Sequence, residues 1–336
     1  MFSSGRVLSK KPYARAGSPV GMLRSQQVAW RYPVRVLGYF GPAGTFTHQA
    51  LLSIDDSDGV PFASVGEALD TVRQGRVDGV VVPIENSVEG GVSATLDKLV
   101  DGDPLVITGE VVIPVEFGIY VRGGTALDDV TSVLTHGHAA AQCRDWLATM
   151  IPDAQVTEAG STAGAAKEVA DPASRYDAAI CARVAGRLYG LYELAHSIED
   201  NPGAVTRFVV VSRPGRVPER TGADKTTLVA YMHQDHPGAL LEILQQFAVR
   251  GVNLCRIESR PTKTILGSYC FAIDAEGHLD DRRLAEALLG LRRICRDVIF
   301  LGSYPRADAR PADVRRGFDD EAFEEASEWL RSLRAG

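Results

Sequence analysis

From residue 34 to about residue 213, short apolar runs alternate with amphipathic stretches, separated by turns rich in Gly, Pro, Ser and Asn. Val34 to Phe40 reads as a strand, Gly41-Pro42-Ala43-Gly44-Thr45 as a turn, and Phe46 to Ser53 as a helix with Thr45 as N-cap. Pro61 to Ala63 is a short extended piece. Ser64 then caps a helix bearing Val65, Ala68, Leu69 and Val72, with Glu67 at the capping-box position. Gly79 to Ile84 reads as a strand buried on both faces, running into Glu85-Asn86-Ser87-Val88-Glu89-Gly90-Gly91 and then a helix through Leu99. Leu105 to Tyr120 holds two strand segments. A second unit follows, with strands at Val130–Thr135, Ala154–Ala159 and Asp177–Cys181 and helices at His138–Thr149, after Ser161-Thr162-Ala163 to Ala170, and up to Tyr189. Alternating strands and helices predict parallel α/β sheets in two lobes, with the last strand, Phe208 to Val211, crossing back to the first lobe.

After Pro214 the pattern changes. A Gly/Pro/Arg/Glu linker ends near Asp224, and the next 80 or so residues read strand (Thr226–Met232), helix, strand (Leu254–Glu258), strand (Ser268–Asp274), helix (Asp280–Ile294), strand (Val298–Ser303). The first helix opens at Pro237, carries Leu240, Leu241, Leu244, Phe247 and Ala248, and stops at Gly251. This βαββαβ order predicts a ferredoxin-like unit. The tail ends in an amphipathic helix with the stripe Phe318, Ala322, Phe323, Ala326, Trp329, Leu330 and Leu333, which should dock on this protein.

The expected organisation is a disordered basic extension over 1–33, a two-lobed domain over 34–213 (first lobe about 34–111 and 203–213, second about 112–202), a linker over 214–224, the smaller domain over 225–305, and a tail over 306–336. Composition is that of a soluble globular protein, 45% apolar and 24% charged. The net charge of −7 conceals six basic and no acidic residues in 1–33, so the body carries 30 basic against 43 acidic residues, and a nucleic-acid footprint is excluded. Five scattered cysteines without a CxxC pair read as free thiols, mostly buried, in a reducing compartment. No run approaches the ~18 apolar residues of a membrane span, and the expected location is the cytoplasm.

Three loops in the lobes end by opening a helix: Gly41 to Thr45, Glu85-Asn86-Ser87, and Ser161-Thr162-Ala163. Each offers backbone N–H groups, small hydroxyls and the positive end of a helix dipole. Beside the same cleft, Thr206 and Arg207 sit where the loop Asp200-Asn201-Pro202-Gly203 becomes a strand. Two such loops from opposite lobes with one guanidinium suit a small ligand carrying two separated anionic groups. Neither GxGxxG after a strand nor GxxxxGK[ST] is present, and no His/Cys cluster has zinc spacing. No metal or cofactor is expected.

Gly41 to Ala50, Pro83-Ile84-Glu85-Asn86-Ser87-Val88-Glu89-Gly90, His136 with Gln142-Cys143, Ser161-Thr162-Ala163 and Thr206-Arg207-Phe208 resemble, in order, the successive motifs of the prephenate dehydratase family. Gly238-Ala239-Leu240-Leu241 and Glu258-Ser259-Arg260-Pro261 are similar to those of a phenylalanine-binding ACT domain, and the likeness spans about residues 34–305. It departs at Ala204, where the family usually has Asn, and at Gly137, where a Pro commonly follows the His. The resemblance implies periplasmic-binding-protein-like lobes and the loss of carbon dioxide and water from prephenate, a dicarboxylate with a ring hydroxyl, to give phenylpyruvate.

It further implies that Thr206 donates to the leaving hydroxyl and Arg207 holds a carboxylate, with Glu85, Asn86 and Ser87 beside them. Gly44, Thr45, Thr47, His136, Ser161, Thr162, Ala163 and Phe208 form the rest of the substrate site, Phe208 by packing. From pKa alone, Glu85 or His136 is the better general acid. A homodimer or homotetramer is implied, with phenylalanine bound between paired ACT units by Pro237, Gly238, Ala239, Leu240, Asn253, Leu254, Glu258, Ser259, Arg260 and Pro261. Arogenate in place of prephenate, or an amino-acid-sensing binding protein without catalysis, are the alternative readings.

Overall fold

The computed structural model describes residues 36–55, 57–234, 236–262 and 269–335. The expected extension over 1–33, Val34 and Arg35 of the first strand, and Ser268 lie outside them. Strand β1 (Leu37–Phe40) leads into α1 (Phe46–Leu52), β2 (Val60–Phe62), α2 (Val65–Arg73), β3 (Gly79–Asn86), β4 (Gly90–Gly91), α3 (Ser93–Leu99) and β5 (Val106–Pro114). Then come β6 (Gly118–Val121), β7 (Ser132–Thr135), α4 (Gly137–Gln142), α5 (Arg144–Met150), β8 (Gln155–Glu158), α6 (Thr162–Ala170), β9 (Ala178–Cys181), α7 (Arg183–Leu188), β10 (Tyr192–His196) and β11 (Val205–Ser212). The C-terminal part holds β12 (Asp224–Tyr231), α8 (Ala239–Ala248), β13 (Leu254–Pro261), β14 (Tyr269–Glu276), α9 (Arg282–Ile294), β15 (Asp297–Pro305) and α10 (Asp320–Ala335).

The strands form three sheets, ordered β2-β1-β3-β11-β5 with β4 appended to β3, β10-β6-β9-β7-β8, and β13-β14-β12-β15. The chain is therefore α/β, with two lobes and a ferredoxin-like unit. The first sheet is mixed rather than parallel: β1 runs parallel to β2 and β3, whereas β11 is antiparallel to both β3 and β5. A strand returning from the other lobe enters from the far end, which sets that direction. Phe208 to Val211 are all buried, as their uninterrupted apolar character requires.

Several boundaries differ from expectation for local reasons. Pairing with β11 (Thr206 with Asn86, Arg207 with Glu85) carries β3 two residues beyond Ile84, so Glu85 and Asn86 are strand residues in a hairpin and open no helix. Strand β5 stays in the first sheet until Pro114, which faces Val205. The expected helix His138–Thr149 breaks at Cys143, because the Asp200 N–H bonds the Gln142 carbonyl (2.6 Å) and the Asp200 carboxylate takes the Asp145 N–H (3.2 and 3.3 Å). The Glu67 carboxylate reaches the Ala63 N–H, one residue before the cap.

The face of the third sheet away from α8 and α9 lies on the first sheet. Val229, Cys270, Ala272, Leu301 and Tyr304 share one core with Leu96, Leu99, Ile107, Val209 and Val211. At roughly 1.5–3 kcal/mol for each fully buried large side chain, this junction contributes as much as an ordinary domain core. Tail helix α10 docks through its first two turns, where Asp320 bonds the Arg282 N–H (2.9 Å) and the Arg220 guanidinium (2.6 Å) and Glu324 meets the Arg282 guanidinium (3.2 Å). Trp329, Leu330 and Leu333 of its stripe stay exposed. No described helix is long and apolar enough to cross a membrane.

At the junction the backbones of β15 and β5 touch. Gly302 has φ +135, and a Cβ there would collide with the Ile107 carbonyl oxygen. Gly302→Ala is expected to destabilise by about 2–4 kcal/mol, since it strains the backbone and prises the two sheets apart. Urea unfolding measures this, and a change within experimental error would refute the contact.

Candidate active site

Adjacent residues on a strand point to opposite faces, and that alternation divides the predicted site. Thr206 lies opposite Asn86 in the ladder, and the Asn86 Nδ2 donates to Thr206 Oγ1 at 2.9 Å. The Asn86 orientation is forced: its Oδ1 accepts from the N–H groups of Val88 (2.8 Å) and Glu89 (3.1 Å) in the hairpin turn, leaving only the amino end for Thr206. Ser87 closes the turn onto β11, its Oγ accepting from Val205 N (2.9 Å) while its own N–H bonds the Val205 carbonyl (2.9 Å). Because Thr206 Oγ1 is already an acceptor, its hydroxyl proton is free to be donated elsewhere.

Arg207 and Glu85 face the other way. Arg207 is 7% exposed, and its guanidinium lies within the junction between the first and third sheets. Its Nε bonds Glu110 (2.6 Å), one terminal nitrogen meets Asp274 (2.5 Å) and Glu85 (3.2 Å), and the other bonds the Tyr304 hydroxyl (2.8 Å). Burial alone would lower its pKa, but Tyr304, Asp274 and Glu110 hold it well above the usual arginine range. Burial would likewise raise the Glu110 and Asp274 carboxyls. Arg207 with Lys225 for the former, and Arg207 with Arg256 for the latter, hold both below the usual carboxylate range. The expected role of Arg207 as a substrate anchor, and the alternative that side-chain acidity gave to Glu85, would need these side chains in the cleft, whereas here both meet in the junction. The expectation overlooked the pleat: Thr206 and Arg207 cannot share a face.

Across the cleft, the Gly44 turn meets the second lobe. Gly44 (φ +89) comes so close to it that a Cβ would lie 3.1 Å from Ala185 and 3.4 Å from Ala163, and Tyr189 donates to the Ala43 carbonyl (3.2 Å). Thr45 and Ser161 cap α1 and α6 through the N–H groups of His48 and Gly164. The N–H groups of Thr162 and Ala163 start α6 without intrahelical partners and are available to an anion. Thr47 is buried within α1. The Ala163 and Phe208 side chains are buried in the core, so only the Ala163 backbone can meet a ligand and Phe208 acts by packing. His136 caps α4, accepting from His138 N (3.3 Å), and Glu89 pairs with His138 (2.5 Å), joining hairpin and second lobe. Ala204, in place of the usual Asn, is buried in the second lobe's core and bonds Val115 N through its carbonyl (2.8 Å).

The prephenate dehydratase profile matches residues 37–216. The prephenate dehydratase of Mycobacteroides abscessus is 45% identical over 307 residues, covering 89% of this chain and 97% of that protein. This chain belongs to the prephenate dehydratase family. Among solved structures, the prephenate dehydratase of Arthrobacter aurescens in complex with L-phenylalanine is 50% identical with a TM-score of 0.85, covering 90% of this chain and all of that one. GqqA, described as a quorum-quenching acylase, is 29% identical with a TM-score of 0.73, covering 81% of this chain and 98% of that one. The dehydratase fold thus also carries another chemistry.

In this dehydratase chain the residues expected to bind phenylalanine fall into two groups. Pro237, Gly238 (φ +94), Ala239 and Leu240 form the turn into α8, and Ala239 lines a 390 Å³ pocket with Met232, His233, His236, Glu242 and Ile294. Asn253 and Leu254 start β13 at the opposite end of the sheet. Along β13, alternation turns Glu258 and Arg260 toward the catalytic lobe. Arg260 bonds Ser93 (2.5 Å) and Asp97 (2.9 Å) of α3, and Glu258 abuts Gly91. Ser259, opposite Phe271, points to the helix side of the sheet.

Four groups around the site escaped the sequence reading: His48, Glu110, Asp274 and Tyr304. Glu110 is the lone charge of β5, and Asp274 follows the apolar run Cys270–Ile273, a signal that could have marked them. His48 stacks on Tyr39 (4.8 Å between centroids), and its Nδ1 accepts the Gly44 N–H (3.1 Å), so the ring carries its proton on Nε2. Burial pushes the imidazole pKa below its usual value, against the opposing pull of Asp58. A depressed pKa contributes stability that is present above the unfolded value and lost as pH falls through the folded one. His48→Gln is expected to cost about 1 kcal/mol at neutral pH, and the gap to wild type should shrink as pH falls below roughly 6.5. Urea unfolding at several pH values checks this, and a gap that widens on acidification would refute the neutral imidazole.

Proposed function

We infer that this protein catalyses the decarboxylating dehydration of prephenate to phenylpyruvate, in the cytoplasm, as the last shaping of the phenylalanine skeleton. Residues 34–213 form the catalytic part and 225–305 a regulatory ACT unit. The observation that carries the reading is the Asn86–Thr206 pair at the meeting of β3 and β11. In the reaction the bond from ring to carboxylate breaks and its electron pair moves into the ring, which becomes aromatic as the C–O bond at the far carbon breaks. Carbon dioxide leaves, and the departing hydroxide takes a proton to leave as water. Thr206 is the oriented donor to that oxygen, its own oxygen held by Asn86, and its proton is restored from solvent. A Thr hydroxyl is a weak acid, so its part rests on preorganisation: a fixed dipole in a water-poor cleft requires no reorganisation as charge develops. The N–H groups at the starts of α1 and α6, with Thr47 and Thr162, meet the substrate's carboxylates in place of Arg207.

Thr206→Ala is expected to lower kcat by roughly 10²-fold or more with KM little changed, and Asn86→Ala by about 10-fold, whereas Glu85→Gln costs less than either. Product absorbance followed with prephenate and, in parallel, arogenate measures this. Near-normal turnover of Thr206→Ala sinks the assignment.

The regulatory reading is that phenylalanine binds the ACT units and lowers activity, and that these units pair the chain into a homodimer or homotetramer. Support comes from the 390 Å³ pocket at the Gly238 turn, from exposed Leu240 and Leu241 on α8 and Val249 at its C-terminal end, and from exposed Ile257 on edge strand β13. Calorimetric titration with phenylalanine, run beside the rate assay, should show binding heat and a falling rate. Absence of both removes the regulatory reading and leaves the catalytic one intact.

A further inference from the structure

We propose that Asp274 and Glu110 are positioning residues for the dehydration: acting through Arg207, they hold the start of β11 so that Thr206 stays on Asn86, and they tie turnover to the regulatory sheet. The proposal rests on the reading of Thr206 as the donor to the leaving hydroxyl.

Three observations carry it. First, β11 keeps regular register with β5 from Val205 to Val210, but its ladder with β3 is irregular between Arg207 and Phe208, just after the residue pair that matters, so on the Asn86 side regular pairing does not by itself set Thr206 against its partner. Second, the neighbouring side chain makes up for this. Arg207 is bonded by groups from four other strands: Glu85 of β3, Glu110 of β5, Asp274 of β14 and Tyr304 of β15. Third, those partners are themselves fixed. Glu110 accepts from Lys225 (3.0 and 2.9 Å) and the Ala307 N–H (3.0 Å). Asp274 accepts from Arg256 (3.0 Å) and Thr227 (2.7 Å), and the Thr227 and Tyr304 hydroxyls bond each other (2.6 Å).

The charges form a continuous path from the regulatory strand to the catalytic one. Arg256 of β13 pairs with Glu258 (2.9 Å) and Asp274, Asp274 with Arg207, and Arg207 is the covalent neighbour of Thr206. Glu258 in turn abuts Gly91, which lies opposite Glu85, the covalent neighbour of Asn86 in the hairpin. A shift of β13 or β14 therefore reaches the neighbours of both partners of the Thr206–Asn86 hydrogen bond, Arg207 on one strand and Glu85 on the other. Arrangements of this kind change discretely rather than gradually, because a buried guanidinium cannot give up one carboxylate without taking another partner.

Asp274→Asn in the full-length protein is the test. The expected result is a kcat reduced roughly 10-fold or more with KM within about two-fold, as a misplaced donor produces, and a shifted midpoint for the effect of phenylalanine on the rate. In a cycle with Asn86→Ala, the second lesion should cost several-fold less once the first is present. A melting temperature that falls while kcat per folded molecule and the phenylalanine midpoint stay unchanged would overturn the proposal, leaving Asp274 a stabilising residue only. Should Asp274→Asn fail to fold, Tyr304→Phe removes one hydroxyl from Arg207 and no charge. It should reproduce the same pattern at about three-fold in kcat, and unchanged turnover there counts against the proposal equally. If Thr206→Ala retains normal turnover, the underlying reading of Thr206 is what has failed. If Thr206→Ala is inactive while both network variants are unaffected, the positioning role alone has failed.

Discussion

A guanidinium removed from water is tolerable only where several anions or dipoles replace its hydration, and Arg207 draws those from both halves of the molecule. Removing one partner from such a buried set typically costs about 3–5 kcal/mol, because the remaining charges stay behind unpaired. The position of the third sheet on the first is thus under electrostatic as well as hydrophobic control. Val209, Ile107, Leu301 and their neighbours set the area of the contact, while the charges set its register. Apolar surfaces slide with little penalty. A guanidinium that must meet Glu110, Asp274 and Tyr304 at once does not.

The pleat of β11 separates two functions that the sequence places side by side. One face carries the Thr206 hydroxyl toward Asn86; the other carries Arg207 into the junction. With no cationic side chain taken from that strand, the proposed anion recognition rests on the backbone at the starts of α1 and α6. Backbone amides suit a dianion because the helix fixes them, they carry no counter-charge requirement of their own, and they remain donors at every pH of interest. His48 belongs to this arrangement, since its acceptor nitrogen holds the Gly44 turn in place.

Much of the architecture was legible because each segment carried one dominant signal. The βαββαβ order, the caps at Thr45 and Ser64, and the buried run Phe208–Val211 follow from local rules and recur in the structure. What escaped was long-range. Whether Glu85 belongs to a loop or a strand depends on β11, which lies about 120 positions later in the chain. Asp200 breaks a helix it does not belong to. The direction of Arg207 could have been inferred from period-2 alternation, but its partners could not, since Glu110, Asp274 and Tyr304 approach it from three other strands. Family resemblance located Thr206, whereas side-chain acidity alone favoured Glu85 or His136, because an isolated Thr hydroxyl gives no hint of the Asn86 amide that orients it.

The contact of Gly302 with Ile107 bears on how such a protein can be rebuilt by recombination. A sensory unit joined only by a flexible tether can be exchanged between enzymes as a cassette, since any similar unit will do. Here the outer strand of the third sheet lies against the backbone of the first, with no room for a methyl group between them, and the surrounding apolar side chains are shared property. A graft would have to bring its own glycine at that position and a matching set of buried charges. In this chain the two units are therefore expected to tolerate exchange only as one body.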